Sequence, residues 1–528
     1  MRICLNLDPS RLLRWHLWTA QALAELPGNE VSCASSTGRH PIPAVCLLLF
    51  EFERLLYGAC RTGAADQMED ALRALPPRPP GEIDLVIDFS GGQGYPTARR
   101  VLTPLFNGTP GEVGVMAALA NGQDLVVELH DSAHPSHPWT ARPASTDREV
   151  FSASLDGVLS CAAELIAKAV REGSGATATM APASIPYAPA PSFVSLSAVA
   201  HAMGGAASKA VRLLDMLARG GRTWAIGWRF DDSQGLLDKE EAAFRVLTGG
   251  TGSYLADPFP FRHEGRNFIF FEQYPYATGR GCIAVATVER NGSVGAPRIV
   301  LEEPHHLSYP FVFEHAGQIW MIPESGAARN VSLYRAVEFP YRWVREACLA
   351  EGIEAYDVTP LPCPDGFWFF ACLRSRKSSS WDMLGLYRAE GLTGSWTPHP
   401  GNPVAIDAKL SRPAGAFFRH GGRTLRPVQD CARSYGGGVT FCRLDALDDS
   451  TFVQTPVGLL ESGPFSCHTY NRRSGLEVVD LFGRVRDLRE VSISYGPALA
   501  VTTRLLPFPQ DVMFIHGDGR EQVADDPA

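Results

Sequence analysis

The segment HHLSYPFVFEHAGQIWMIPES, residues 305–325, contains the pattern that decides the fold of the larger part of this chain. An aromatic-rich strand starts near Tyr309-Pro310, a turn with Gly317 follows, and a second apolar strand ends at Glu324. Two short strands joined by a tight glycine turn are typical of a β-hairpin. The segment therefore predicts an antiparallel β unit.

The same hairpin pattern recurs along the chain. Its copies start at positions 257, 310, 357 and 413, with spacings of 53, 47 and 56 residues. Third strands also match, because LYRA occurs at both 333–336 and 386–389. A period of about 40–50 residues with four strands per unit is typical of a β-propeller. With a fifth unit near Cys467-His468-Thr469 and strand 223–229 closing the ring, residues 221–505 are predicted to form a five-bladed propeller.

The first part of the chain follows a different pattern. Apolar strands are predicted at 2–7, 31–34, 83–89 and 124–129, and helices at 11–26, 44–57 and 148–171. Alternating strands and helices predict an α/β domain with a parallel, Rossmann-like sheet over residues 1–185. Residues 186–220 are predicted to be a linker followed by a helix, and 506–528 a C-terminal tail. The predicted fold class is thus multidomain, α/β followed by all-β.

Composition excludes several classes of function. The 528 residues carry a formal net charge of -9, which argues against a nucleic-acid surface. The longest apolar runs fall short of the roughly 18 residues that a transmembrane segment needs. Asp8, Arg11 and Arg14 interrupt the N-terminal apolar run, so no signal peptide is expected and a cytoplasmic location is predicted. The twelve cysteines have no metal-ligand spacing, and neither a cofactor nor a dedicated metal site is predicted, although a carboxylate cluster could hold a divalent ion.

Aligning the repeats places polar side chains at equivalent positions around a central funnel. Chemistry at a glycosidic bond needs two carboxyl groups, one protonated and one ionised. Neighbouring carboxylates raise one pKa and an arginine lowers another. The predicted catalytic residues are Asp257, Glu324 and Asp357. The predicted substrate-binding residues are Glu272, Tyr309, Arg412, Asp430 and His468.

Three of these residues also have a purely structural interpretation. Asp257 precedes a proline at a strand start, which is common in turns. Asp430 follows a strand, where a turn or salt-bridge role is expected. His468 is a single histidine, and such residues often serve only as polar groups with satisfied hydrogen bonds.

Several segments of the β part resemble a known family. LADPFPF (255–261), the segment 305–325, SLYRA (332–336), LYRAEGLTGSWTPHPGNPV (386–404), SRPAGAFF (411–418) and RPVQDCARSYG (426–436) resemble the five-bladed propeller domain beside the glycosyltransferase domain of plant glucosamine inositolphosphorylceramide transferases. That domain is similar to five-bladed glycoside hydrolases. The resemblance implies that Asp257 matches a catalytic carboxylate of those hydrolases.

The first part resembles a formyltransferase N-terminal domain through IDLVIDFS (83–90) and GVMAALANGQDLVVELH (114–130). That family has an Asn-x-His-Pro-Ser motif where this chain has Asp88-Phe89-Ser90-Gly91-Gly92. The resemblance therefore implies a degenerate domain without folate-dependent formyl transfer.

The leading hypothesis is a carbohydrate-active enzyme of the glycosyltransferase type in glycan or glycolipid biosynthesis. Its partners would be a sugar donor, with nucleotide sugars as candidates, and a glycan or glycolipid acceptor. The alternatives are a glycoside hydrolase, a non-catalytic sugar-binding scaffold, and a formyltransferase acting on an amino sugar. Catalysis requires two carboxylates about 5–10 Å apart, whereas binding alone does not.

Overall fold

The structure is a computed structural model. It describes residues 1–37, 43–57, 63–73, 75–91, 96–134, 138–173, 194–219, 221–233, 235–238, 241–376, 378–484, 486–488 and 490–497. The predicted linker at 186–193, ahead of the helix, and the whole predicted C-terminal tail lie outside these residues. Across the described ranges, no helix has the length and apolar character needed to cross a membrane.

The N-terminal part contains one seven-stranded sheet with helices packed on it. Its strands are β1 (Arg2–Leu7), β2 (Glu30–Ser35), β3 (Ile83–Asp88), β4 (Ala98–Phe106), β5 (Thr109–Pro110), β6 (Val127–Asp131) and β7 (Trp139–Ala141). The helices are α1 (Arg14–Ala24), α2 (Ala44–Tyr57), α3 (Glu69–Arg73), α4 (Val113–Ala120), α5 (Phe151–Glu172) and α6 (Val194–Arg219). The strand order is β2-β1-β3-β4-β6-β7, and β5 pairs with β4.

The sheet is parallel only in its first half. Strands β2, β1, β3 and β4 run parallel, whereas β4 pairs with β6 and β6 with β7 antiparallel. The expectation of a purely parallel sheet was therefore wrong for its second half. Strand β4 was missed because ARRVLTPLF mixes arginines and a proline with its apolar residues. Helix α5 is amphipathic and buries its apolar face in the core of this part.

The remaining residues form antiparallel sheets. The first three consist of β10 (Ser253–His263), β11 (Arg266–Pro275), β12 (Cys282–Val288) and β13 (Arg298–Leu301); β14 (Ser308–His315), β15 (Gln318–Glu324), β16 (Asn330–Glu338) and β17 (Arg342–Glu351); and β18 (Ala355–Cys363), β19 (Gly366–Leu373), β20 (Met383–Ala389), β21 (Thr397–Pro398) and β22 (Ala405–Ile406). Each sheet has its own apolar contacts with the next sheet.

A nine-stranded sheet completes this β domain. Its strands are β8 (Arg222–Phe230), β9 (Glu241–Thr248), β23 (Phe418–His420), β24 (Arg423–Gln429), β25 (Val439–Leu447), β26 (Phe452–Glu461), β27 (Tyr470–Arg473), β28 (Leu476–Arg484) and β29 (Glu490–Pro497). Within it, β23-β24-β25-β26 and β27-β28-β8-β9 are two antiparallel groups of four, and β29 joins them.

The β domain closes on itself through its two ends. Strand β8 from its beginning pairs with β28 from its end over nine residue pairs, from Arg222↔Arg484 to Phe230↔Leu476. This pairing is the one expected for strand 223–229. Because the last strands of the domain bond to its first strand, the sheets form a propeller-like domain without a free edge at this junction.

Tight hairpins fix the register between the first two strands of the repeats. In four of them a two-residue turn has positive φ at both positions, the type I′ pattern that suits the twist of antiparallel strands. These turns are Glu264-Gly265, Ala316-Gly317, Gly421-Gly422 and Ser474-Gly475. The glycine turn thus explains why these four hairpins begin their second strands at equivalent positions.

Candidate active site

Three of the predicted site residues occupy the same unusual position in successive sheets. Asp257, Tyr309 and Asp357 have φ values of 50°, 43° and 54°, in the left-handed region. Each lies in a β-bulge, where the register between the first two strands of its sheet shifts. A bulge redirects a side chain, and a non-glycine residue in this conformation costs roughly 1–3 kcal/mol. Because the same strained conformation recurs at three equivalent positions, it indicates a functional role for this position.

Asp257 connects three sheets at the centre of the β domain. Its Oδ2 accepts a hydrogen bond from the Tyr309 backbone N–H at 3.2 Å, and its Oδ1 accepts one from Thr469 Oγ1 at 2.8 Å. His468 Nε2 lies 3.2 Å from the same Oδ1. Burial opposes ionisation of Asp257, but His468, Thr469 and Arg412 hold its pKa below the ordinary value. Asp257 is thus suited to remain an anion.

His468 is held between two buried carboxylates. Its Nδ1 lies 2.6 Å from Asp480 Oδ2, on the side of the ring opposite Asp257. Asp480 Oδ1 also accepts the backbone N–H groups of His468 and Thr469, at 2.8 and 3.0 Å. Burial lowers the pKa of His468, but Asp480 and Asp257 together raise it to about 10. At neutral pH the ring is therefore a cation.

Among the described residues, Asp257, His468 and Asp480 form a group that could hold a metal ion. Each offers one ligand atom, and the three atoms lie within 4.8 Å of one another. Without a metal, the imidazole lies as a cation between two carboxylates. A metal ion would have to displace a proton from the ring, because only the neutral imidazole can ligate.

Asp357 and Arg412 form a second buried ion pair. Arg412 Nε donates to Asp357 Oδ2 at 2.6 Å, and Gln429 Nε2 donates to the same oxygen at 2.9 Å. Burial raises the pKa of Asp357 to about 7, although Arg412 opposes this shift. The guanidinium of Arg412 lies 5.1 Å from the ring centroid of Tyr435. Asp357 can therefore exchange a proton near neutral pH.

Glu272 and Glu324 come from equivalent positions on second strands, opposite Ala256 and Ser308. Glu324 accepts hydrogen bonds from Ser308 Oγ at 3.0 Å and from the Gly326 N–H at 2.8 Å. Glu272 has looser contacts, with Tyr254 Oη at 3.3 Å and His306 Nε2 at 3.5 Å. Burial, with Asp257 as the next cause, raises the pKa of Glu272 well above its ordinary value. Burial also raises the pKa of Glu324, against the effect of Arg412.

Asp430 lies apart from the other predicted residues. Its Oδ1 accepts the Ala432 N–H at 3.1 Å within a short loop. Burial raises its pKa to about 6, and the charges that act on it are those of Lys409, Asp407 and Asp124 rather than the central group. The structure therefore brings together seven of the eight predicted residues.

We call the following group of buried residues the acidic cluster: Asp257, Glu272, Glu324 and Asp357 with Arg412, His468 and Asp480.

Aromatic rings cover the acidic cluster. The Trp224 and Tyr435 rings lie 4.4 and 4.9 Å from the His468 ring, and Trp381 packs on Tyr435 at 5.5 Å. The side chains of Asp257 and Glu272 keep only 5% and 6% exposure, so access to the cluster is narrow. Two surface cavities, of about 250 and 320 Å³, are lined by residues of the α/β part and the helix that follows it, and neither includes a member of the acidic cluster.

Sequence reasoning missed three residues that shape the site: Asp480, Thr469 and Gln429. Asp480 was detectable, since it is the one charged residue inside the apolar run VVDLF. Buried carboxylates are costly without a partner. Thr469 and Gln429 carried no such signal, because their partners lie 212 and 72 residues away in sequence.

The sequence pattern of the family described as "Glucosamine inositolphosphorylceramide transferase 1, N-terminal" matches residues 243–473. Proteins named glucosamine inositolphosphorylceramide transferase 1 are similar to this chain. The one from Oryza sativa subsp. japonica is 28% identical over 272 residues, which is 47% of this chain and 36% of the relative. The one from Arabidopsis thaliana is 30% identical over 222 residues, 40% of this chain and 28% of the relative. The chain thus spans about a third of the length of these relatives.

Among solved structures, a GH43_1 enzyme from Xanthomonas citri matches 54% of this chain and 99% of its own, with a TM-score of 0.35 and 13% identity. An exo-1,5-α-L-arabinanase from a bovine ruminal metagenomic library matches 47% of this chain and 94% of its own, with a TM-score of 0.33 and 12% identity. Structural similarity with TM-scores this low supports no conclusion about fold or activity.

Proposed function

We propose that the acidic cluster acts on a glycosidic bond, in a transferase-type reaction of glycan or glycolipid assembly. The observation that carries this proposal is the divergence of pKa values among buried carboxyl groups that influence one another. The pKa of Asp257 lies below its ordinary value, because His468, Thr469 and Arg412 outweigh burial, whereas burial, with a smaller contribution from Asp257, raises the pKa values of Glu272 and Glu324. Carboxyl groups driven apart in this way can divide the roles of base and acid.

In this proposal Asp257 is the ionised carboxylate that activates the attacking group or stabilises positive charge at the anomeric carbon. Glu324 is the protonated carboxyl that assists the leaving oxygen. Asp357, with a pKa of about 7 beside Arg412, tunes the charge of the cluster. Arg412 can also hold a phosphate or an acidic sugar through two parallel hydrogen bonds.

The names of the relatives support a proposal for the substrates. The family whose pattern matches residues 243–473 and the relative from Oryza sativa subsp. japonica both carry the name glucosamine inositolphosphorylceramide transferase 1. We propose a sugar donor, with nucleotide sugars as candidates, and a glycan or glycolipid acceptor. We also propose that the five antiparallel groups of strands are five blades, that residues 1–185 are a degenerate formyltransferase-like domain, and that the protein acts in the cytoplasm.

A sugar-binding domain without chemistry is the second candidate. The observation that favours it is the narrow access to the cluster, since the Asp357 side chain is only 2% exposed. A sugar could then contact the rings of Trp224, Tyr435 and Trp381 without reaching the carboxylates.

The test is to incubate the purified chain with a panel of nucleotide sugars and aryl glycosides, with and without glycolipid acceptors, and to follow products by mass spectrometry. Product linked to an acceptor supports transfer, and free sugar alone supports hydrolysis. Saturable binding of a sugar with no product over the whole panel would contradict the proposed chemistry and support the second candidate.

A further inference from the structure

Three loops of the β domain form one wall of the acidic cluster. They are residues 374–376 and 378–382 after β19, 407–412 after β22 and 430–438 after β24. Arg412 NH1 lies 3.3 Å from Ser380 O in the first loop, and its guanidinium packs on Tyr435 of the third. Trp381 packs against Tyr435 in turn. The three loops therefore fix Arg412 where it meets Asp357.

The α/β part contacts this wall through the segment 142–148, between β7 and α5, and also through Asp124, which pairs with Lys409 and Arg433, and Glu164, which pairs with Arg376. The backbone of Arg142 pairs like a strand with residues 406–408, because its N–H donates to Ile406 O at 2.9 Å and its carbonyl accepts the Ala408 N–H at 2.7 Å. Its NH1 also donates to Asp407 Oδ2 at 2.8 Å. Further along the segment, Arg148 NH1 donates to Ala432 O at 3.2 Å.

Asp382 is a second connection between the two parts. Its side chain is fully buried, and its Oδ2 accepts the Ala144 N–H at 2.8 Å and the Cys161 thiol at 3.3 Å. Its own carbonyl accepts the Asp407 N–H at 2.7 Å. Ala144 belongs to the same apolar cluster as Trp381, against which Tyr435 packs. A displacement of segment 142–148 would thus disturb the contacts of all three loops.

We propose that the segment 142–148 is part of the candidate active site, and that Arg142 and Asp382 are positioning residues that hold the loops around Arg412. The inference rests on the proposed function for its catalytic meaning, although the positioning of Arg412 can be measured without turnover. Arg142 is a third exposed, and ion pairs of that kind contribute little to global stability. Its removal is therefore expected to loosen the wall while the protein stays folded.

The test compares Arg142→Ala with Arg142→Lys, which can keep the single contact to Asp407. Arg99→Ala is the matched control, because Arg99 pairs with Glu82 on the same part of the chain away from the β domain. Hydrogen exchange followed by mass spectrometry is measured over peptides 374–382 and 430–438. We expect severalfold faster exchange in both loops for Arg142→Ala, near wild-type exchange for Arg142→Lys, and no change for Arg99→Ala.

Turnover provides the second measurement. Arg412 lowers the pKa of Asp357, so a loosened Arg412 should move the pH limb set by Asp357 to higher pH and reduce kcat. Loss of folded protein would reduce the rate without moving that limb. Wild-type exchange in both loops of Arg142→Ala, or loosened loops with an unchanged pH profile, would overturn the inference. If the wild-type chain has no turnover, the proposed function fails, and exchange alone decides the positioning of Arg412.

Discussion

Asp257→Asn is the change that tests the acidic cluster most directly. Asparagine tolerates the left-handed backbone conformation, so the φ of 50° adds no new strain. Its remaining oxygen can keep the hydrogen bond from Thr469 and the contact with His468. Its amide nitrogen would then face the Tyr309 N–H, which loses its acceptor. An unsatisfied buried donor costs about 1–3 kcal/mol, a loss that a folded domain of this size can carry.

The effect on the reaction should be much larger than the effect on stability. Removing a general base or nucleophilic carboxylate lowers the rate by about 10²–10⁴-fold, which corresponds to about 3–5 kcal/mol in the barrier. The assay is kcat with the best substrate of the sugar panel, beside a melting curve. Asp232→Asn serves as control, because Asp232 is exposed and its side chain pairs with Arg290 at the surface. A folded Asp257→Asn protein with near wild-type turnover would refute the catalytic role.

Three further predictions concern single residues. Glu324→Gln should keep its contacts with Gly326 and Ser308, lower kcat by about 10²-fold or more, and abolish the loss of activity that the wild type shows as pH rises through the raised pKa of Glu324. A kcat profile whose decline at high pH is unchanged from that of the wild type would contradict this. The pKa of His468 is about 10 in the folded protein and about 6.5 in the unfolded chain, so the stabilisation that its charge contributes is complete below pH 6.5 and is lost as pH rises to 10. Denaturant titrations should therefore show that the free energy of unfolding declines more steeply over this range for wild type than for His468→Gln. Ala316→Gly should raise the free energy of unfolding by about 1 kcal/mol, because φ is 51° at this turn position and glycine adopts this conformation without strain. The control Ala347→Gly, inside β17, should lower the free energy of unfolding. Equal effects of the two changes would show that strain in the turn is not the cause.

The hairpin repeat was predictable because it is encoded locally. A glycine turn between two apolar strands is a sequence pattern that recurs every few dozen residues. Aligning the copies of this pattern identifies positions 257, 309, 357, 412 and 468 as equivalent. The alignment also identified six of the seven residues of the acidic cluster. Asp430 lies apart from the cluster and makes turn contacts within 430–438, which agrees with its structural interpretation.

The sequence by itself determined the β repeats, the α/β pattern of the first part of the chain, and the chemical types of the side chains near the centre. Only the tertiary structure decided their electrostatics. Asp480 meets the backbone of Asp257 across 223 residues of chain, and this contact exists because β28 pairs with β8. The pKa values of the cluster follow from burial and from partners on other sheets, and the position of Arg412 depends on a segment of the α/β part. A local pattern cannot specify such contacts, because each requires the ring to close and the two parts to pack together.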